Sequence, residues 1–413
     1  ESAQFYALRN CLRTVGCVKR TVHTVCSADF NNMALRGLNI CVRLMRDSPR
    51  KGILQSSPRV GCLGCQIGAK RHLLSEDVVK LQDFQQRKLA VAHQVSGAKS
   101  DYFENVSQKL QKNELILKDE LKLLLHLCQS ADDMVTAKSA IYRYHEENRN
   151  VSFGDFKFGP LFMRLCYELG LEDMAATTVT DKTLKGFFSD STSFNIAIDM
   201  LFMKECYDGA LEVVAEMRKQ GVTFNKDTHT LACATCYKLN TPKSYRVCMV
   251  LLEEGQLKGH MIPRHAYCFA AALAIKQNDL EKAKKFYSQI MNTESKLCMN
   301  LNVWILAMEG SIRDAVAILN TSILPNTPTF VKRPEFSQEV LEELQRQSVD
   351  GTWAVQVERV VARLQKAGQV TVQSLDAMLC HTPKGKRRTM PMLEERKTSR
   401  RTLRPLRSTL LSE

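Results

Sequence analysis

A chain of 413 residues, 44% of them apolar, is long enough for two or three globular domains or one extended repeat array. No apolar run reaches the ~18 residues a membrane span needs, and 19 Gly, 11 Pro and little β-branched alternation exclude a protein built mainly on sheet. The formal charge of +14 sits at the ends, with 12 Lys/Arg against 3 Asp/Glu over 1–71, 10 against 3 over 381–413, and 36 against 38 over 72–380, so bulk charge does not argue for a strong non-specific phosphate groove in the middle.

Residues 1–71 are predicted to be a basic targeting or disordered segment. Phe5, Leu8, Leu12 and Val15 share one helical face beside Arg9, Arg13, Lys19 and Arg20, and acids are nearly absent. That is the composition of a mitochondrial transit peptide, with processing expected within 30–70; an unstructured basic arm is the alternative. Cys62 and Cys65 have CxxC spacing, but no second pair follows at finger spacing, so a zinc site is not expected. Residues 72–115 predict two helices that form an N-terminal cap. Ser75 precedes Glu76 and Asp77 at one start, and Asp101 with Glu104 forms a capping box at the other.

Residues 116–325 carry a repeating pattern, clearest in DSTSFNIAIDMLFMKECYDGALEVVAEMRKQGVTF (190–224). Phe194, Ile198, Leu201 and Phe202 make one helical face, with Asp190 and Ser191 as candidate caps. Tyr207, Ala210, Leu211, Val214 and Met217 make a second face, closed by Arg218, Lys219 and Gly221. Small Ala210 lets two helices approach closely, and its context recurs at Ala137, Ala175, Ala283 and Ala315, with spacings of 38, 35, 73 and 32. The gap of 73 holds one degenerate unit at 227–259, with Pro242 in its turn. A single hairpin cannot bury its own apolar faces, so about six stacked hairpins are predicted.

Residues 326–380 predict a C-terminal cap. NTPTFVKRPEF is a turn, two helices fall within 337–367 on either side of Asp350-Gly351, and VTVQSLDAMLC (370–380) is a further short helix. Residues 381–413 form a basic tail predicted to be disordered. Within it KGKRR reads as a nuclear import signal, an RNA-neutralising arm or a solubilising tail; a transit peptide at the other end argues against the nuclear reading.

Catalytic and metal motifs are missing from the sequence. There is no Gly-rich phosphate loop, GxSxG or HExxH, and Glu253-Glu254 and Glu394-Glu395 read as ordinary solvated charge. His126 and His145 stand alone on helical patterns. Cys233 and Cys236, one turn apart on a predicted helix, read as small core residues. The cysteines as a whole suit a reducing compartment rather than a secreted disulfide scaffold. No enzyme, metal or cofactor is expected.

Phe194-Asn195, Asp208-Gly209-Ala210-Leu211, Glu216-Met217 and Gly221-Val222 together resemble the pentatricopeptide repeat. The resemblance implies an all-α solenoid of helix-turn-helix repeats between helical caps, acting in the mitochondrial matrix on single-stranded RNA. It further implies RNA maturation as the process served, through transcript processing or stability, with DNA not expected. In that family the first-helix residue after the aromatic faces a base together with the last residue of the repeat. Carried over, this nominates Asn195 with Asn225, then Thr230 and Asn300, while Pro263 and Cys268 depart from the pattern. An amide can donate and accept at a base edge, which Cys and Pro do poorly; a helix-start residue bonded locally is the alternative for Asn195. Lys384, Lys386, Arg387, Arg388, Arg400 and Arg401 are the candidate contacts to RNA backbone. A protein-binding scaffold on an RNA-processing complex or the mitochondrial ribosome is the alternative function, supported by the near-neutral middle and the broken code.

Overall fold

The computed structural model describes residues 72–95, 97, 99–147, 156–323, 333–349 and 351–382. Residues 1–71, expected to be a targeting or disordered segment, with their CxxC pair, and the six basic residues nominated in the tail lie outside them. The described chain is almost entirely helical. It starts with α1 (Glu76–Val79), α2 (Leu81–Gln94) and α3 (Lys99–Gln111). Six hairpins follow: α4 (Lys118–Leu127) with α5 (Ala131–Glu147), α6 (Gly159–Leu169) with α7 (Glu172–Val179), and α8 (Ser191–Met203) with α9 (Tyr207–Lys219). The other three are α10 (Lys226–Leu239) with α11 (Pro242–Leu257), α12 (Arg264–Lys276) with α13 (Leu280–Ser288), and α14 (Lys296–Glu309) with α15 (Ile312–Ser322). A seventh pair, α16 (Gln338–Ser348) and α17 (Ala354–Lys366), precedes the short α18 (Leu375–Leu379).

Local chemistry sets these boundaries. Asp190, Asn225, Thr241, Asp279 and Ser295 each accept a hydrogen bond from a backbone N–H in the first turn of the helix they precede. Pro242 opens α11, where its missing N–H costs nothing. Gly310 closes α14 in the left-handed conformation at φ 81°.

The small anchors lie where the helices meet. Ala137, Ala175, Ala210, Ala283 and Ala315 are all fully buried. The degenerate unit supplies Cys248 at the same place, also fully buried, 38 residues after Ala210 and 35 before Ala283. A thiol there acts as a small apolar side chain. Second helices are amphipathic: α9 buries Ala210, Val213, Val214 and Met217, and α17 buries Val357, Val360, Val361 and Leu364. First helices are buried nearly all round. α8 buries ten consecutive residues, Ser193 to Phe202, and α12 another ten, Ala266 to Ile275. Such helices form an inner layer, packed on both neighbouring first helices as well as on their own partners.

The expectation of a helix over 370–380 needs correction at its start. Val370–Thr371 is a two-residue strand β2, parallel to β1 (Phe336–Ser337), in the register Phe336↔Val370 and Ser337↔Thr371. The β-branched run Val-Thr-Val favours extended backbone, and Phe336 Nα–H donates to the Gln369 carbonyl at 2.8 Å. This pairing returns the chain to the start of α16 and sends residues 372–382 across the first helices.

Candidate nucleic-acid interface

Asn195, Thr230, Cys268 and Asn300 occupy matching positions, near the N-termini of α8, α10, α12 and α14. The structure brings Asn195 and Asn225 together: Asn195 Nδ2 donates to Asn225 Oδ1 at 3.0 Å. Thr228 Oγ1 donates to Asn195 Oδ1 at 2.8 Å. Asn225 also caps α10 by accepting from the Thr228 backbone N–H, and its Nδ2 donates to Ser191 Oγ at 3.0 Å. Asn195 is fully buried and Asn225 half-buried. The expected open base-edge amide therefore differs from what the fold holds. Asn195 joins two consecutive first helices, and of the pair Asn225 is the one within reach of solvent.

Asn300 repeats that joint one place from the end of the stack. Its Nδ2 donates to the Lys296 and Glu335 carbonyls at 2.8 and 3.0 Å, and its Oδ1 accepts from the Ser337 backbone N–H at 2.7 Å. It too is fully buried, since it ties α14 to the segment entering α16. Cys268 faces Cys298 of the next first helix, sulfur to sulfur at 3.7 Å. The Cys298 sulfur and burial together push the Cys268 thiol well up. Thr230 departs from this pattern: its Oγ1 donates to the Lys226 carbonyl of its own helix at 3.1 Å, and the residue capping the next first helix is Pro263, which has no side-chain donor.

Beyond these joints, the first helices carry charge that sequence reasoning missed. Lys238 and Lys276 stand eight residues after Thr230 and Cys268, at the C-terminal ends of α10 and α12. Counting on in the repeat register would have found them. Lys238 Nζ donates to both oxygens of Asp376 in α18, at 2.8 and 2.7 Å. Burial works to lower the Lys238 pKa, but the Asp376 carboxylate outweighs it and holds the ammonium above its ordinary value. Lys276 Nζ lies 3.8 Å from the centroid of the Tyr237 ring, and burial pushes its pKa down. At the other end of the stack, buried Asp199 of α8 accepts from the Leu73 and Leu74 backbone N–H groups at 2.8 and 3.4 Å and pairs with His72 Nδ1 at 3.0 Å.

Among the described residues no group of three or more His, Cys, Asp or Glu is arranged to hold a metal ion. Nor is any described helix long and apolar enough to cross a membrane. The arrangement offers amides, lysines and aromatic faces along one layer of helices.

The family model of the mitochondrial 28S ribosomal protein S27 matches residues 49–248. Proteins named "Pentatricopeptide repeat-containing protein 2, mitochondrial" match most of the chain. The one from Danio rerio is 56% identical over 383 residues, covering 92% of this chain and 100% of the relative. The one from Mus musculus is 48% identical, covering 90% and 97%. The one from Homo sapiens is 50% identical, covering 84% and 90%.

Proposed function

This chain belongs to the mitochondrial pentatricopeptide repeat-containing protein 2 family, and from that membership we propose that it binds single-stranded RNA in the mitochondrial matrix along its layer of first helices. The process served is RNA maturation, by transcript processing or stability, and through it respiratory-chain expression. The observation that carries this reading is the repeated register of the first helices. The shared position near each N-terminus (Asn195, Thr230, Cys268, Asn300) is followed eight residues on by Lys238 and Lys276 in the two middle units. An accessible amide at Asn225 and lysines at one register position of two consecutive first helices fit an extended single strand. In this reading Asn225, the more accessible amide, meets a base edge while Asn195 holds it in place. The basic tail, with Lys384, Lys386, Arg387, Arg388, Arg400 and Arg401, adds non-specific attraction.

The test is RNA binding by the full chain across a salt series, beside Asn225→Ala and a truncation at 381. Loss of the tail should weaken binding to all sequences alike and flatten the salt dependence by ~0.7 in log–log slope for each phosphate no longer neutralised. Asn225→Ala should weaken binding without changing that slope. Binding that vanishes with the tail and ignores Asn225 would remove the base-facing role. A second reading, a protein scaffold on the mitochondrial ribosome, is favoured by the match to the ribosomal protein S27 model. Co-sedimentation with ribosomal subunits after nuclease treatment, with no RNA binding by the isolated chain at low salt, would select it.

A further inference from the structure

We propose that residues 372–382 are an internal competitor for single-stranded nucleic acid, lying across the first helices α10, α12 and α14 with the Asp376 carboxylate where a backbone phosphate would sit on Lys238. This rests on the RNA-binding reading above and adds a control element to it.

The placement is specific. Leu375, Met378 and Leu379 of α18 are buried, and both carboxylate oxygens of Asp376 accept from Lys238. His265 Nε2 at the start of α12 lies 2.7 Å from the Leu379 carbonyl. Between this strap and the helices beneath lies a cavity of about 100 Å³, lined by Tyr237, Lys276 and Trp304 from below and by Leu375 and Asp376 from above. Two aromatic side chains and two lysines thus face a segment that brings its own anion. An RNA strand would bring the same chemistry: a phosphate for the lysines and flat bases for the rings.

The strap is also built to let go. A five-residue helix has no stability of its own in water. The Asp376 side chain is 45% exposed, so water and salt weaken its ion pair. A phosphate replacing it exchanges one anion for another on Lys238. At its N-terminal end the strap is tied to α16 and the segment entering it: Ser337 Oγ donates to the Gln373 carbonyl at 2.8 Å, and the Leu375 backbone N–H donates to Glu339 Oε2 at 3.1 Å. Asp376 and Glu339 facing Lys238 and Lys276 also help explain why the middle of the chain is near neutral.

The experiment uses the full chain and a labelled, unstructured pyrimidine oligoribonucleotide at near-physiological salt. Asp376→Asn combined with Met378→Ser loosens the strap, and a thermal melt checks that the stack remains folded. The expected result is a Kd lower by roughly three- to tenfold, because more of the population is competent to bind. Lys238→Met in the loosened chain should remove that gain. In the unaltered chain, amide exchange over 375–380 should speed up when RNA is added. If the chain binds RNA but exchange there is unchanged and the loosened variant binds no tighter, the competitor is overturned while the RNA reading stands. If neither chain binds even at low salt, both fall together.

Discussion

At the scale of single residues, Asn195 shows what a repeat motif leaves hidden. Its place after Phe194 and the repeat resemblance nominated it with Asn225 as two amides facing one base, whereas in the fold the two bond to each other. That both ends of its amide are used within the protein was not legible, because this depends on how Asn225 and Thr228, at the start of the next first helix, are brought against α8. Asn195→Ala removes two buried hydrogen bonds, so we expect a loss of about 1–3 kcal/mol in urea unfolding. A loss below a few tenths of a kcal/mol would show that the joint does not support the stack. His229 makes a second case. Its ring is buried against Phe224 and His260, and its Nε2 has no hydrogen-bond partner among the described residues. Burial, then the neighbouring His260, lowers its pKa from 6.5 to about 4. The folded state therefore binds this proton more weakly than the unfolded state does. The associated stability is fully present above pH 6.5 and is lost as pH falls toward 4, roughly 3 kcal/mol in all. His229→Phe should flatten the stability profile between pH 6.5 and 4.5, above the range where most carboxylates titrate. An unchanged slope in that window would assign the loss to other groups.

At the scale of elements, the hairpins were legible because their anchors are a sequence property. A small residue at a spacing near 35 survives even where the rest of a unit has drifted, and Cys248 fills the gap that the alanines leave. Packing between neighbouring units was less legible, since it joins residues that no local pattern connects. Gly159 and Gly209 separate the two situations. A Cβ on Gly159, at the start of α6, would lie 2.6 Å from Ser193 Oγ and 2.9 Å from Phe188 Cδ1. Ser193 is held by Asp190 at the start of α8, donating to it through both backbone and hydroxyl at 2.9 Å. Gly159→Ala should therefore push neighbouring units apart at a cost of about 1–3 kcal/mol. A Cβ on Gly209, inside α9, would meet nothing nearer than Leu201 at 3.9 Å. Gly209→Ala should stabilise the protein by about 0.5–1 kcal/mol through helix propensity alone. Thermal melts of the two variants should move in opposite directions. Equal shifts would mean that the close approach at Gly159 relaxes without cost.

At the scale of the described molecule, the apolar core divides along one helix. One cluster runs from Leu73 through the middle units to Leu301 and Ile305; the other gathers Val303, Ala307, α15, α16 and α17. The boundary passes through α14, whose alternate faces serve the two clusters. In a stack where each unit touches mainly its neighbours, stability is a sum of local terms, and such a boundary is where unfolding can stop. Leu364 is fully buried in the second cluster and Leu231 in the first. Truncating either to Ala costs on the order of 2–5 kcal/mol. We expect Leu364→Ala to speed amide exchange across α15–α17 while α8–α12 keep their protection, and Leu231→Ala to do the reverse. The strap spans this boundary. Leu375 and Leu379 pack into the first cluster, while β2 and Glu339 hold residues 370–375 to the second. Loosening it with Asp376→Asn and Met378→Ser should sharpen the separation, because a link between the clusters is then removed. Uniform loss of protection in either Leu→Ala variant would show that the stack unfolds as one unit, and an unchanged separation on loosening would show that the strap couples nothing.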